Sequence, residues 1–188
     1  MRSFDALAQS LGGGAAKLRF AMNAGMYDEA GRPIGLYVEQ GRVRHRLNRA
    51  SGGGNFGLKP NGVFAVDDAG RARIVTTEAW SAPPRETAWA TQSGPMLVVS
   101  GSFHPRIQAN GPSLNLRNAV GVDGSGAAWF AISDDPVSFG RLARLLRDSL
   151  GCRDALYLDG AVSSLWDRPA GRRDRRAELG PMVLVFAR

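Results

Sequence analysis

The chain has 188 residues and a mass of 20.1 kDa, with 44% hydrophobic and 22% charged residues, which suits one compact core and excludes a disordered chain. No apolar run approaches the roughly 18 residues of a membrane-spanning helix, and Met1-Arg2-Ser3-Phe4-Asp5 carries an early acid and no signal-peptide pattern. Net charge is +7 at a pI of about 10.6, and 22 of the 24 basic residues are arginine, Lys17 and Lys59 being the exceptions. Arginine's planar fork grips phosphate or carboxylate through paired hydrogen bonds, so an anionic partner is permitted, although a genomic base bias would enrich arginine equally. A single cysteine, Cys152, excludes an internal disulfide. With only His45 and His104 beside it, the short-spaced ligand pairs of a structural zinc are missing; no metal or cofactor is called for, and a cation held by oxygen ligands stays open.

In chain order, Ser3 is placed to cap a short helix whose face is Phe4, Leu7, Ala8 and Leu11, ended by Gly12-Gly13-Gly14. Residues 18–23 read as a buried strand running into a turn at Gly25. Residues 35–39 and 42–46 predict a hairpin across Gln40-Gly41. Ser51-Gly52-Gly53-Gly54-Asn55 reads as a flexible loop with too few side chains to pack. A second hairpin is expected from residues 61–66 and 71–76 across Asp67-Asp68-Ala69-Gly70. Residues 81–87, with Pro83-Pro84, read as a connection, and 95–99 and 118–122 as apolar strands separated by a loop over 100–117. The segment 127–133 pairs with the latter. The clearest helix is 138–150, with Phe139, Leu142, Ala143, Leu146 and Leu150 inward and Arg141, Arg144 and Arg147 outward. Short strands at 155–158 and 182–187 complete one α+β domain over residues 1–188, mostly strands in a mixed or antiparallel sheet with two main helices packed on it.

The glycine clusters match no phosphate loop, since Gly12-Gly13-Gly14 follows a helix and no GKS or GKT triplet exists. A G-x-S-x-G nucleophile elbow is also missing, and a histidine base would have to be His45 or His104, both read as structural or exposed polar residues. Strand ends carry more. Leu156-Tyr157-Leu158 delivers Asp159-Gly160, which sets a carboxylate at a rim where backbone can approach a ligand closely. Asn23-Ala24-Gly25 repeats that pattern, and Gln92-Ser93-Gly94 offers small polar groups at a third rim. Arg117-Asn118 opens an otherwise apolar strand, which puts the guanidinium at an edge or pocket mouth. Asp134 or Asp135 reads as a cap for the helix that follows. Asn, Gln, Ser, Arg and Asp together suit hydrogen bonding to a sugar and charge pairing to a phosphate.

Several motifs occur in an order seen in one family. They are Met22-Asn23-Ala24-Gly25-Met26-Tyr27, Pro33-Ile34-Gly35-Leu36-Tyr37, Lys59-Pro60-Asn61-Gly62-Val63-Phe64, Gln92-Ser93-Gly94-Pro95-Met96-Leu97, Arg117-Asn118-Ala119-Val120-Gly121 and the run from Gly151 to Gly160. Over roughly residues 18–188 the chain resembles the phosphodiester glycosidases of the uncovering-enzyme type, in their bacterial, largely uncharacterised branch. That resemblance implies hydrolysis of a sugar-1-phosphate diester in a glycan or cell-envelope substrate. Asp159 is then the catalytic carboxylate, Arg117 the phosphate ligand and Ser163 a hydroxyl donor. Asn23, Gln92, Ser93, Gly94, Gly160 and Asn61 form the substrate-binding set. The chain departs from the family's Asp-Gly-Gly-Gly-Ser at Asp159-Gly160-Ala161-Val162-Ser163, which keeps a non-catalytic module for anionic glycan as the alternative. Members usually have an upstream strand and often an export signal, so a periplasmic or cell-envelope location is implied, with an upstream part outside this chain.

The expected partner is a phosphorylated sugar or anionic glycan; no nucleic-acid reading motif is present, and nothing sets an oligomeric state. Residues 168–176 hold five arginines and one aspartate, a local +4, which reads as a solvated loop or as an anionic-polymer grip at the edge of the site.

Overall fold

The structure is a computed structural model that describes residues 2–81 and 86–187; the expected connection over 81–87 lies largely outside them. Helix α1, Phe4–Leu11, begins where Ser3 Oγ accepts the Ala6 N–H at 3.1 Å, satisfying one of the free donors of the first turn. Gly12, at a φ of 50°, ends it, and residues Gly12–Lys17 continue as a 3-10 turn.

The strands are β1 (Leu18–Asn23), β2 (Tyr37–Glu39), β3 (Arg42–His45), β4 (Gly62–Val66), β5 (Ala72–Thr76), β6 (Trp89–Ser93) and β7 (Met96–Val99). They continue with β8 (Ser102–Phe103), β9 (Asn118–Asp123), β10 (Ala128–Ile132), β11 (Cys152–Tyr157), β12 (Leu165–Asp167), β13 (Arg172–Arg173) and β14 (Met182–Phe186). Among the described residues they form three antiparallel sheets, in the orders β13-β12-β1-β14, β10-β9-β11-β7-β8 and β3-β2-β6-β4-β5. The α+β class expected from the sequence is the one observed.

All three sheets share one apolar centre. Met22 of β1, Phe64 and Ile74 of β4 and β5, and Met96, Val120 and Leu156 of the middle sheet are buried together there with Leu158. Removing these side chains from water supplies the main stabilisation. The second helix, α3, spans Phe139–Arg144 behind its cap Ser138, whose Oγ accepts the Arg141 N–H at 3.1 Å, and relaxes into a wider π turn over Leu145–Ser149. Its inner stripe, Leu142, Ala143 and Leu146, packs on Val98, Ala119, Ala155 and Cys152 of the middle sheet. Gly121 lets that approach happen, because a Cβ there would stand 2.9 Å from Cys152 Cβ and 3.2 Å from a Leu146 methyl. The helix cap is therefore Ser138, and Asp134 instead pairs with Arg172 at 2.7 Å.

Strands β6, β8, β12 and β13 went unread in the sequence, β8 falling inside the expected loop over 100–117, and the glycine-rich loop holds a helical turn where none was expected. Residues Gly54–Gly57 form a single helical turn (α2), and Phe56 is buried in the core under α3. The arginine-rich segment is likewise a built element. Arg172 bridges Asp134 and Asp174. Arg173 reaches Asp5 at 2.8 Å and the Phe4 carbonyl at 2.7 Å while its guanidinium lies 4.4 Å from the Trp166 ring centre, and Arg175 also pairs with Asp5. These arginines clamp α1 onto the first sheet, which leaves much less of the local +4 for an external polymer.

Helix α1 rests on this clamp and on its cap. Replacing Ser3 with alanine is expected to cost about 1 kcal/mol of stability, read as a lower midpoint in urea unfolding with an unchanged slope.

Candidate active site

The middle sheet sets the site through register. In the β9–β11 ladder Tyr157 faces Ala119 and Leu156 faces Val120, and the Leu158 N–H donates to the Asn118 carbonyl at 3.0 Å. Continuing the antiparallel count places Arg117 opposite Asp159 at the sheet's end. Because side chains alternate between faces, Arg117, Tyr157 and Asp159 fall on one side. They line one cavity of about 220 Å³ together with Met26, Asn55, Ser113, Asn115 and Ala161.

Arg117 is 1% exposed. Its Nε donates to the Val137 carbonyl at 2.8 Å and its Nη2 to the Ser113 carbonyl at 2.9 Å and Ser113 Oγ at 3.2 Å. The guanidinium carbon sits 3.7 Å from the centre of the Phe139 ring, which meets Tyr157 edge-on. Among the described residues no carboxylate comes within ion-pair distance of it. Burial presses its pKa downward, and the neighbouring Tyr157 hydroxyl opposes that. A buried cation held only by neutral oxygens and an aromatic face is costly to keep, and an arriving anion would complete it.

Asp159 is partly buried, and desolvation raises its carboxyl pKa against the opposing pull of the Ala161 backbone. Its main chain is gripped on both sides by the end of β1: the Asn23 Nδ2 donates to the Asp159 carbonyl at 2.6 Å, and the Asp159 N–H donates to the Ala24 carbonyl at 3.2 Å. Asn118 Nδ2 in turn donates to the Asn23 carbonyl at 2.9 Å and its Oδ1 at 3.1 Å, and Ser163 Oγ donates to Asn118 Oδ1 at 3.3 Å. Asn23 Oδ1 also accepts the Ser164 N–H at 2.9 Å. This amide–hydroxyl network underlies the loop that presents Asp159. Gly160 donates its N–H to the Tyr157 hydroxyl at 2.9 Å, and a Cβ at that position would collide with the same oxygen.

Of the residues expected at the site, Arg117 and Asp159 share the cavity, with Gly160 beside them. Asn23 and Ser163 do not line it: both are buried and engaged in holding the Asp159 loop. Gln92 is fully committed to the protein, its Oε1 accepting the Leu36 and Asn48 N–H groups and its Nε2 donating to the Asn48 carbonyl and Thr77 Oγ1. That leaves it nothing for a sugar hydroxyl. Ser93 is wholly buried with its hydroxyl unpaired, Asn61 holds the Phe56 carbonyl at 2.8 Å, and Gly94 admits the backbone of Asn55 and Phe56, which a Cβ would meet at 3.1 and 2.9 Å. His45 is exposed and bonded to the Gly35 carbonyl, and the buried His104 accepts the Arg106 N–H; neither lines the cavity.

Tyr157, Met26, Ala161, Asn55, Ser113 and Asn115 were missed as lining residues. Tyr157 and Ala161 were within reach, since they stand two residues either side of Asp159. The other polar ones lie in loops without periodicity.

A sequence profile of the phosphodiester glycosidase family matches residues 16–186, and the chain belongs to that family. It is 41% identical over 151 residues to YigE, an uncharacterised protein of Escherichia coli (strain K12), spanning 80% of this chain and 58% of that one. In fold it is similar to the catalytic domain of zebrafish N-acetylglucosamine-1-phosphodiester alpha-N-acetylglucosaminidase, solved auto-inhibited by its pro-peptide. That match has a TM-score of 0.64 at 17% identity and covers 93% of this chain and 65% of the zebrafish one. A hypothetical protein from Synechocystis matches with a TM-score of 0.54 at 15% identity, over 98% of this chain and 54% of its own. This chain thus spans between half and two thirds of the length of these proteins.

Because Gln92 ties three segments together beneath the site, Gln92→Ala is expected to cost about 3 kcal/mol through stranded buried partners. Calorimetric unfolding checks this, and a midpoint within 1 °C of wild type would contradict it.

Proposed function

We propose that the protein hydrolyses a sugar-1-phosphate diester, cleaving the bond between the anomeric carbon and the phosphate oxygen in a glycan or cell-envelope substrate. The observation that carries this reading is the buried Arg117 guanidinium, without a carboxylate partner among the described residues and in the same cavity as Asp159. Family membership and the zebrafish enzyme's name support the same chemistry. At about 220 Å³ the cavity is smaller than the roughly 300 Å³ at which drug-sized pockets begin, which suits one sugar ring and its phosphate with the remainder of the substrate outside.

In this reading Arg117 and the Ser113 hydroxyl bind the phosphate and stabilise the charge that builds on it as it leaves. A phosphate monoester leaves readily, so a strong general acid at that oxygen matters less than in ordinary glycosides. Asp159, ionised, takes a proton from the attacking water or stabilises the positive charge that develops on the sugar ring. Water adds its hydroxyl to the anomeric carbon as that carbon's bond to the phosphate oxygen breaks, and its one remaining proton passes, through Asp159 or directly, to the departing phosphate monoester or to solvent. Asn23, Asn118 and Ser163 act by holding the Asp159 loop, and Tyr157 by spacing Gly160 and flanking the guanidinium.

Release of free reducing sugar from a panel of sugar-1-phosphate diesters tests the reading. Wild type should turn over at least one, and Asp159→Asn none. Since burial raises the Asp159 pKa, the native fold binds that proton more tightly than the unfolded chain does. Stability is therefore lost as pH rises through the raised pKa, and ionised Asp159 costs stability at neutral pH. The asparagine variant should accordingly melt no lower than wild type. The rate should fall on the acid side at a pH above the ordinary aspartate range. Arg117→Lys keeps the charge but loses the fork, and is expected to lower kcat/KM by about 100-fold. Saturable binding of the diesters without turnover would instead favour a glycan-binding module.

A further inference from the structure

We infer that Asn55 is a substrate-positioning residue that reads the sugar, and that Asn61 and Phe56 are the anchors that set its place; this rests on the phosphodiester reading above. Asn55 sits on the single turn of α2, at the end of the glycine run 52–54, and lines the cavity that holds Arg117 and Asp159. Ser113 Oγ accepts bonds from both Arg117 and Asn115, which leaves its own proton for the phosphate and ties these two residues to the phosphate end of the cavity. The Asn55 amide, by contrast, bonds to none of the described residues, so both its donor and its acceptor are open to a ligand.

An amide on a run of glycines would normally ride on a mobile backbone. Here the backbone that carries it is held through the residue that follows. Phe56, the next residue, is inserted into the core beneath α3, and its ring lies against the position a Gly35 side chain would fill, at 2.9 Å. Asn61, wholly buried, uses its Nδ2 to hold the Phe56 carbonyl at 2.8 Å. Gly94 lies close enough to the Asn55 and Phe56 carbonyls that a side chain there would push the turn outward. Asn61 has no protein partner for its Oδ1 among the described residues. The bond it does make goes to the carbonyl of Phe56, the residue that follows Asn55 on the turn. An amide that offers donor and acceptor together, carried on a backbone held in this way, matches adjacent hydroxyl or acetamido groups of a sugar ring rather than the phosphate.

The test separates the two halves of the ligand by titrating the intact protein with inorganic phosphate and with glucose 1-phosphate, followed by calorimetry. Asn55→Ala, a change at an exposed position, should weaken glucose 1-phosphate about tenfold, the loss of one or two neutral hydrogen bonds, and leave phosphate within twofold. Asn61→Ala should do the same. The Asn55→Ala/Asn61→Ala pair should be no worse than Asn55→Ala alone, a non-additivity that general destabilisation does not produce. If Asn61→Ala does not fold, Phe56→Leu, a milder disturbance of the same anchor, takes its place with the same expectation. Equal loss of both ligands, or loss of neither, in Asn55→Ala overturns the assignment of Asn55. Additive losses in the pair overturn the anchoring role of Asn61. Failure of wild type to bind either compound overturns the phosphate site itself and this inference with it.

Discussion

A buried guanidinium with no carboxylate at ion-pair distance among the described residues is the constraint from which the site follows. Arg117 is enclosed at the start of β9, where the Val137 and Ser113 carbonyls and the faces of Phe139 and Tyr157 replace the water it has given up. Neutral partners recover only part of the hydration energy of a cation. The surrounding residues are therefore arranged to keep a positive charge dry and pointed at a cavity. The same enclosure that presses on Arg117 also desolvates Asp159. The result is a cation and a carboxylate that share a cavity without pairing with one another. In the proposed reaction one charge would receive the leaving anion and the other would face the developing positive centre.

The rest of the fold is organised to hold that pair in register. The β9–β11 ladder aligns the two positions, and the end of β1 clips the backbone of the Asp159 loop through Asn23 and Ala24. Beneath the site, Gln92 spends every polar atom on tying β6 to the segments around Leu36, Asn48 and Thr77. Residues that look like ligands in the sequence are thus mostly the struts under the ligands. Buried amides bridge loops well because each supplies donor and acceptor together, and loop ends are where unpaired backbone groups collect.

How much of this the sequence disclosed varied with the kind of signal. The α1 and α3 faces, the two hairpins and the strand that delivers Asp159 were legible, because apolar periodicity and glycine turns report local geometry directly. Strand β6 was not: Trp89-Ala90-Thr91-Gln92-Ser93 has polar residues at buried positions, and Thr91 and Gln92 find their partners, mostly backbone groups, far away in sequence. Strands β12 and β13 were hidden by the arginine run, whose charges read as solvent-facing until Asp5, Asp134 and Asp174 are seen beside them. At the site, Arg117 and Asp159 stood out in the sequence because one precedes and the other follows an apolar strand, and both line the cavity. Asn55, Ser113 and Asn115 come from loops brought in by tertiary packing, and no spacing announces them.

Because the account turns on Arg117 and Asp159 facing one bound anion, the most direct measurement follows the Asp159 carboxyl by carbon NMR through a pH titration, with and without saturating inorganic phosphate. A phosphate held by Arg117 adds negative charge to the cavity and must raise the Asp159 pKa further above its already elevated position. The account predicts that upward shift in wild type and its loss in Arg117→Gln. An Asp159 titration that ignores phosphate in the wild-type protein would contradict it.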